Sequence, residues 1–148
     1  MKKFLVLFMS VMMSCGLAMA KDHVEKIEVK ALPEKAQQFV NDHLASYPVK
    51  KIICQTDERG VKIYVIQFKN KLKVEFDMVG AWNELDASKV KTVVLNDKMM
   101  PSNVRAALNT DFINKPIVKA SNDGFIYVIL FGDKSEAQIN SLGTVVEK

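Results

Sequence analysis

The chain has 148 residues, 49% of them hydrophobic, with 21 lysines and arginines against 17 acids. Charges of both signs are interspersed, with no basic stripe carrying interleaved aromatics, no acidic tail and no low-complexity run, which argues against nucleic acid as a partner. The two histidines, His23 and His43, have no metal-binding spacing.

Residues 1–20 read as an export signal. Lys2 and Lys3 precede the apolar run Phe4 to Met13, and Ala18-Met19-Ala20 forms a small-x-small cleavage site. The run is too short to span a bilayer. Cleavage between Ala20 and Lys21 leaves 128 residues, 19 basic and 17 acidic, so the sequence pI of 9.0 overstates the basicity of the exported chain. The expected location is the periplasm or the medium. Ser14-Cys15-Gly16 offers an alternative, a lipoprotein anchored at Cys15, although Met12 stands where leucine is preferred. A chain of 128 residues buries about two thirds of its unfolded surface in one core and needs no disulfide. Cys54, in the apolar run Ile52-Ile53-Cys54, is expected to be a small buried strand residue, since no His or electropositive opening adjoins it.

After a charged lead, Lys21 to Lys30, the pair Leu32-Pro33 opens an amphipathic helix: Ala36, Phe39, Val40, His43, Leu44 and Tyr47 recur at three- and four-residue steps, ending before Pro48. His43 lies at the edge of that stripe as a half-buried helix residue. Strands follow at Val49 to Thr56, Val61 to Phe68, Leu72 to Met78 and Ala81 to Leu85, separated by polar or glycine-bearing turns. In the third strand Leu72, Val74, Phe76 and Met78 alternate with Lys71, Lys73, Glu75 and Asp77. A turn at Lys69-Asn70-Lys71 predicts Phe68 opposite Leu72, Ile66 opposite Val74 and Tyr64 opposite Phe76. Asp86 to Met100 links to a second helix carrying Val104, Ala107, Leu108 and Phe112, then a shorter first strand, the turn Asn122-Asp123-Gly124 and the apolar run Phe125 to Phe131.

Tyr64 to Glu84 returns 63 residues later as Tyr127 to Glu147 without a gap, with Tyr, Val, Ile, Phe, Lys, Gly and Glu identical at seven aligned positions. The predicted fold is therefore α+β: two tandem helix-plus-antiparallel-strand repeats, residues 21–86 and 87–148, forming one extended antiparallel sheet with helices on one face.

Leu32-Pro33, Tyr64, Ile66, Phe68, Asn70, Glu75-Phe76-Asp77, Gly80 and Trp82, echoed by Pro101, Tyr127, Ile129, Phe131 and Gly143, resemble the pattern of PepSY-like periplasmic proteins, whose fold is similar to that of the beta-lactamase inhibitory protein. Lys71 departs from the family's turn glycine, and Ile139-Asn140 from its Phe-Asp pair. The resemblance implies a secreted protein of Bacteroidetes type and no established activity.

No phosphate loop, nucleophile elbow or paired-histidine helix is present, so neither catalytic residue, cofactor nor metal is expected. Glu75 and Asp77 have strand spacing compatible with paired-carboxylate hydrolysis, but such alternation is also that of any solvated strand. The expectation is a non-catalytic binding module acting on a protein or peptide partner as an inhibitor or regulator; the alternatives are a structural accessory of the cell envelope and a small hydrolase. The candidate binding surface is the sheet face opposite the helices, with Val65, Ile126, Val128 and Leu130 as an apolar stripe and Lys73, Glu75 and Trp82 around its rim. For Trp82 the preferred reading is a large core or sheet-edge aromatic, with the rim as the alternative.

Overall fold

A computed structural model describes residues 23–147. The expected export signal, its expected cleavage site and Cys15 lie outside the described residues.

Nine strands form one antiparallel sheet whose spatial order is the chain order: β1 (His23–Lys26), β2 (Val49–Thr56), β3 (Lys62–Phe68), β4 (Lys73–Phe76), β5 (Trp82–Asp86), β6 (Ile117–Asn122), β7 (Ile126–Phe131), β8 (Glu136–Asn140) and β9 (Val145–Glu147). Helix α1 (Glu34–His43) precedes β2, and α2 (Ser102–Asp111) lies between β5 and β6. Each helix follows a proline, Pro33 or Pro101, whose fixed φ suits a helix start.

The register predicted for the first hairpin is observed, with Tyr64 opposite Phe76 and Ile66 opposite Val74. Directly opposed residues share a face. One row therefore runs across the sheet through Ile52, Ile66, Val74, Leu85, Ala120, Ile129 and Ala137, each at 3% exposure or less. Both helices pack on this face, joining its side chains in one hydrophobic core with Ala36 and Val40 of α1 and Val104 and Leu108 of α2. Phe39 meets Phe76 edge-on at 5.7 Å, and Phe112 stacks on Phe131 at 5.3 Å.

Corresponding turns adopt matching backbones. Lys71 (φ 77°) and Lys134 (φ 71°) end the tight turns of β3–β4 and β7–β8, and Gly80 (φ 90°) and Gly143 (φ 87°) serve the turns that follow. Two segments differ from expectation. The charged lead contains β1, which pairs antiparallel with β2 and is exposed at all four residues. Its backbone is held by the ladder while its side chains carry no burial pattern to read. The linker, expected only as a connection, contributes to the core: it buries Val94, Leu95, Met99 and Met100 and makes one 3-10 turn, Asp97–Met99.

Candidate functional site

The opposite face carries no helix among the described residues. Its central row, by register, is Ile53, Val65, Glu75, Glu84, Ser121, Val128 and Gln138; the adjoining row is Gln67, Lys73, Asp86, Lys119, Leu130 and Glu136. Carboxylates thus sit at the middle of the sheet, where the two halves meet.

Glu84 faces Glu75 across β4–β5 and is only 3% exposed. Lys119 reaches it from β6, Nζ to Oε1 at 3.7 Å, and approaches Asp86 at the same distance. No hydrogen bond reaches Glu84 Oε1 among the described residues. Burial raises the Glu84 carboxyl above the usual range, against the pull of Lys119. Burial also raises Glu75, with the Glu84 charge adding to it. Asp86 goes the other way: burial works against ionisation, but the Ser88 hydroxyl and amide, donating to its Oδ1 at 2.6 and 3.0 Å, lower it, helped by Lys119. A pair of glutamates whose carboxyls are both raised therefore lies beside an aspartate whose carboxyl is lowered, with Lys73 and Lys119 next to them.

The sequence-predicted residues divide between the faces. Val65, Lys73, Glu75, Ile126, Val128 and Leu130 are on the helix-free face, but not as one apolar stripe. Val65 on β3 and Val128 on β7 are four strand spacings apart, about 19 Å, with Glu75, Glu84 and Ser121 between them. Val65 is itself buried at 5% exposure, whereas Ile126, Val128 and Leu130 are half-buried. Trp82 is on the helix side. A register shift between Glu75 and Phe76 sets it opposite Phe76, its indole N–H donates to the Met99 carbonyl at 3.2 Å, and its ring meets Tyr127 edge-on at 5.7 Å. It is a core residue, 7% exposed, and not part of the open-face rim.

Asp77 is occupied locally, its Oδ1 accepting from the amides of Val79 and Ala81 at 3.0 Å each, so it does not act as a pair with Glu75. Cys54 is a buried free thiol. His43 packs its ring on Phe39 at 4.8 Å. Among the described residues, no group of three or more His, Cys, Asp or Glu is arranged to hold a metal, and no helix is long and apolar enough to cross a membrane. Sequence reasoning missed Glu84, Asp86 and Lys119, because β5 and β6 lie on either side of a helix and a linker, and no local spacing announces their pairing.

Fold and site together define a class: an open antiparallel sheet covered by helices on one face, with a polar, partly buried centre on the other. The family model described as beta-lactamase-inhibitor-like, PepSY-like matches residues 62–147, and the chain belongs to that family. Solved structures agree in fold. A protein described as periplasmic, of the DUF2874 family from Bacteroides vulgatus, has 24% identity and a TM-score of 0.71, covering 84% of this chain and 94% of its own. A periplasmic protein from Bacteroides thetaiotaomicron described as calcium-regulated has 23% identity and a TM-score of 0.72, with the same coverages. A second Bacteroides vulgatus protein, described as periplasmic and of unknown function, has 19% identity and a TM-score of 0.70, covering 85% of this chain and 97% of its own. At these identities the likeness is one of fold. No curated protein matches the sequence.

Proposed function

We propose that the chain is an exported, non-catalytic binding module that receives a protein or peptide partner on the helix-free face of its sheet, as an inhibitor or regulator in the periplasm. The observation that carries this reading is the composition of that face: half-buried Ile126, Val128 and Leu130 beside the Glu75, Glu84, Asp86, Lys73 and Lys119 cluster. Apolar surface next to a few charged groups of definite placement is what selective recognition uses. The periplasmic descriptions of the structural neighbours support the compartment. In the same reading, residues 21–86 and 87–148 are two copies of one unit and residues 1–20 are its export signal.

Val128→Lys tests the site. A lysine can extend its stem over the face and hold its amine in water, so stability should change by no more than about 0.5 kcal/mol. Partner capture from periplasmic extract by the immobilised exported chain should be lost. A stable Val128→Lys protein that retains every interaction of the wild type would sink the proposal.

A further inference from the structure

A second feature lies at the turn end of the first hairpin. There the β2 bulge, the β3–β4 turn and the end of β5 line a half-open cavity of about 470 Å3, where Lys50, Lys69, Lys71, Lys73 and Lys89 stand around Gln67, Phe68 and Leu72, with Asp86 as the one acid. Such a space is roughly 8 Å across, about one Debye length at physiological ionic strength, so these charges act on one another and on anything inside. The concentration is unusual for this chain, whose residues 21–148 carry 19 basic and 17 acidic side chains. Among the described residues, Lys50, Lys69, Lys71 and Lys89 form no ion pair, and Asp86 is already shared with Lys119 and Ser88.

The second hairpin provides an internal comparison. Its turn has the same backbone, with Lys134 in the conformation of Lys71. Asp133 stands there, and its carboxylate pairs with Lys115 at 3.1 Å while accepting from the Ser135 hydroxyl. The position preceding Lys71 is instead the neutral Asn70, whose side-chain oxygen accepts from the Leu72 amide at 3.0 Å. One hairpin turn thus supplies its own anion, and the other has the neutral Asn70 in that place and gathers five lysines around the single acid Asp86.

We propose that this cavity is a binding site for a phosphate-bearing ligand of charge two or more. One carboxylate would offset a single lysine, whereas a phosphomonoester or pyrophosphate offers several oxygens to ammonium groups approaching from different sides. Lysine, a compact point charge on a flexible stem, suits that geometry, and a cleft of one sign concentrates such anions. The cavity borders the partner surface proposed above, sharing Lys73 and Asp86 with it, but the substitutions below leave both residues and Val128 in place, so either proposal can fail without the other.

Two probes distinguish the source of the phosphate: inorganic pyrophosphate by calorimetry, and vesicles of phosphatidylcholine containing phosphatidic acid by sedimentation. Each is tested on residues 21–148, on Lys50→Gln/Lys69→Gln/Lys89→Gln, and on Lys35→Gln/Lys91→Gln/Lys98→Gln, which removes the same charge elsewhere. Binding of at least one probe should weaken about tenfold in the cavity variant and less than about twofold in the other, with melting temperatures unchanged. Pyrophosphate alone would identify a soluble ligand, and vesicles alone a lipid headgroup. If the cavity variant does not fold, Lys69→Gln and Lys89→Gln singly, both exposed, carry the same expectation at about twofold each. The proposal is overturned if neither probe binds the wild type, or if both triple variants weaken binding alike.

Discussion

Gly80 shows how one residue joins sheet to helix. Its φ is +90°, and a Cβ there would lie 2.8 Å from the Ala36 amide nitrogen and 2.9 Å from the Lys35 Cβ, at the start of α1. Gly60 has a similar φ of +81° but nothing within 4 Å. Gly60→Ala should therefore cost only the left-handed backbone penalty, about 1–2 kcal/mol, while Gly80→Ala must also displace α1 and should cost more by urea unfolding; equal losses would refute the close approach. Glu84 makes a different prediction, about pH. Its carboxyl and that of Glu75 are raised in the folded protein, so the stability linked to them is fully present below their unfolded pKa, about 4.3, and is lost as pH rises through the folded values. Asp133, held to about 2 by Ser135 hydrogen bonds and Lys115, acts oppositely, its contribution lost as pH falls from its unfolded value through about 2. Glu84→Gln should raise the melting temperature at pH 8 and flatten its decline above about pH 4.3, Lys119 keeping Asp86 as its partner. An unchanged slope between pH 5 and 8 would mean that Glu84 is not the group titrating.

Among the elements, the β3–β4 hairpin was the most legible. Strict alternation and a short polar turn define its register, because a slip of one residue would move Phe76, Val74 and Ile66 from the core into water. Phe76 is fully buried between Tyr64, Trp82 and Phe39. Phe76→Ala should cost about 3–5 kcal/mol in denaturant unfolding through lost transfer and the cavity left behind; a loss under about 1 kcal/mol would be typical of a surface position and would contradict the packing. The helices were legible from their apolar stripes and preceding prolines. β1 was not, since an edge strand exposed on all its side chains is held by backbone ladder bonds that no side-chain pattern reports. The β5 bulge was equally silent, and it is what turns Trp82 toward Met99 and Tyr127.

At the scale of the molecule, the exported chain should begin at Lys21, because the Ala18-Met19-Ala20 site follows an apolar run of signal length. Intact mass of the exported protein is expected to correspond to Lys21 to Lys148, and a mass beginning at an acylated Cys15 would refute it. The sequence by itself determined the α+β class, the helix faces, the register of the β3–β4 hairpin and the glycine turns, since these follow from periodicity and from local backbone requirements that neighbouring residues express. The candidate site was only partly legible: Lys73, Glu75, Ile126, Val128 and Leu130 were assigned to the helix-free face by alternation alone. Only the tertiary structure decided that Glu84 is buried opposite Glu75, that Lys119 joins it from β6, that Val65 is parted from Val128, and that five lysines share one cavity. Those relations arise where β5 meets β6 and where separate turns converge, and contacts between segments distant in sequence leave no period in the chain to read.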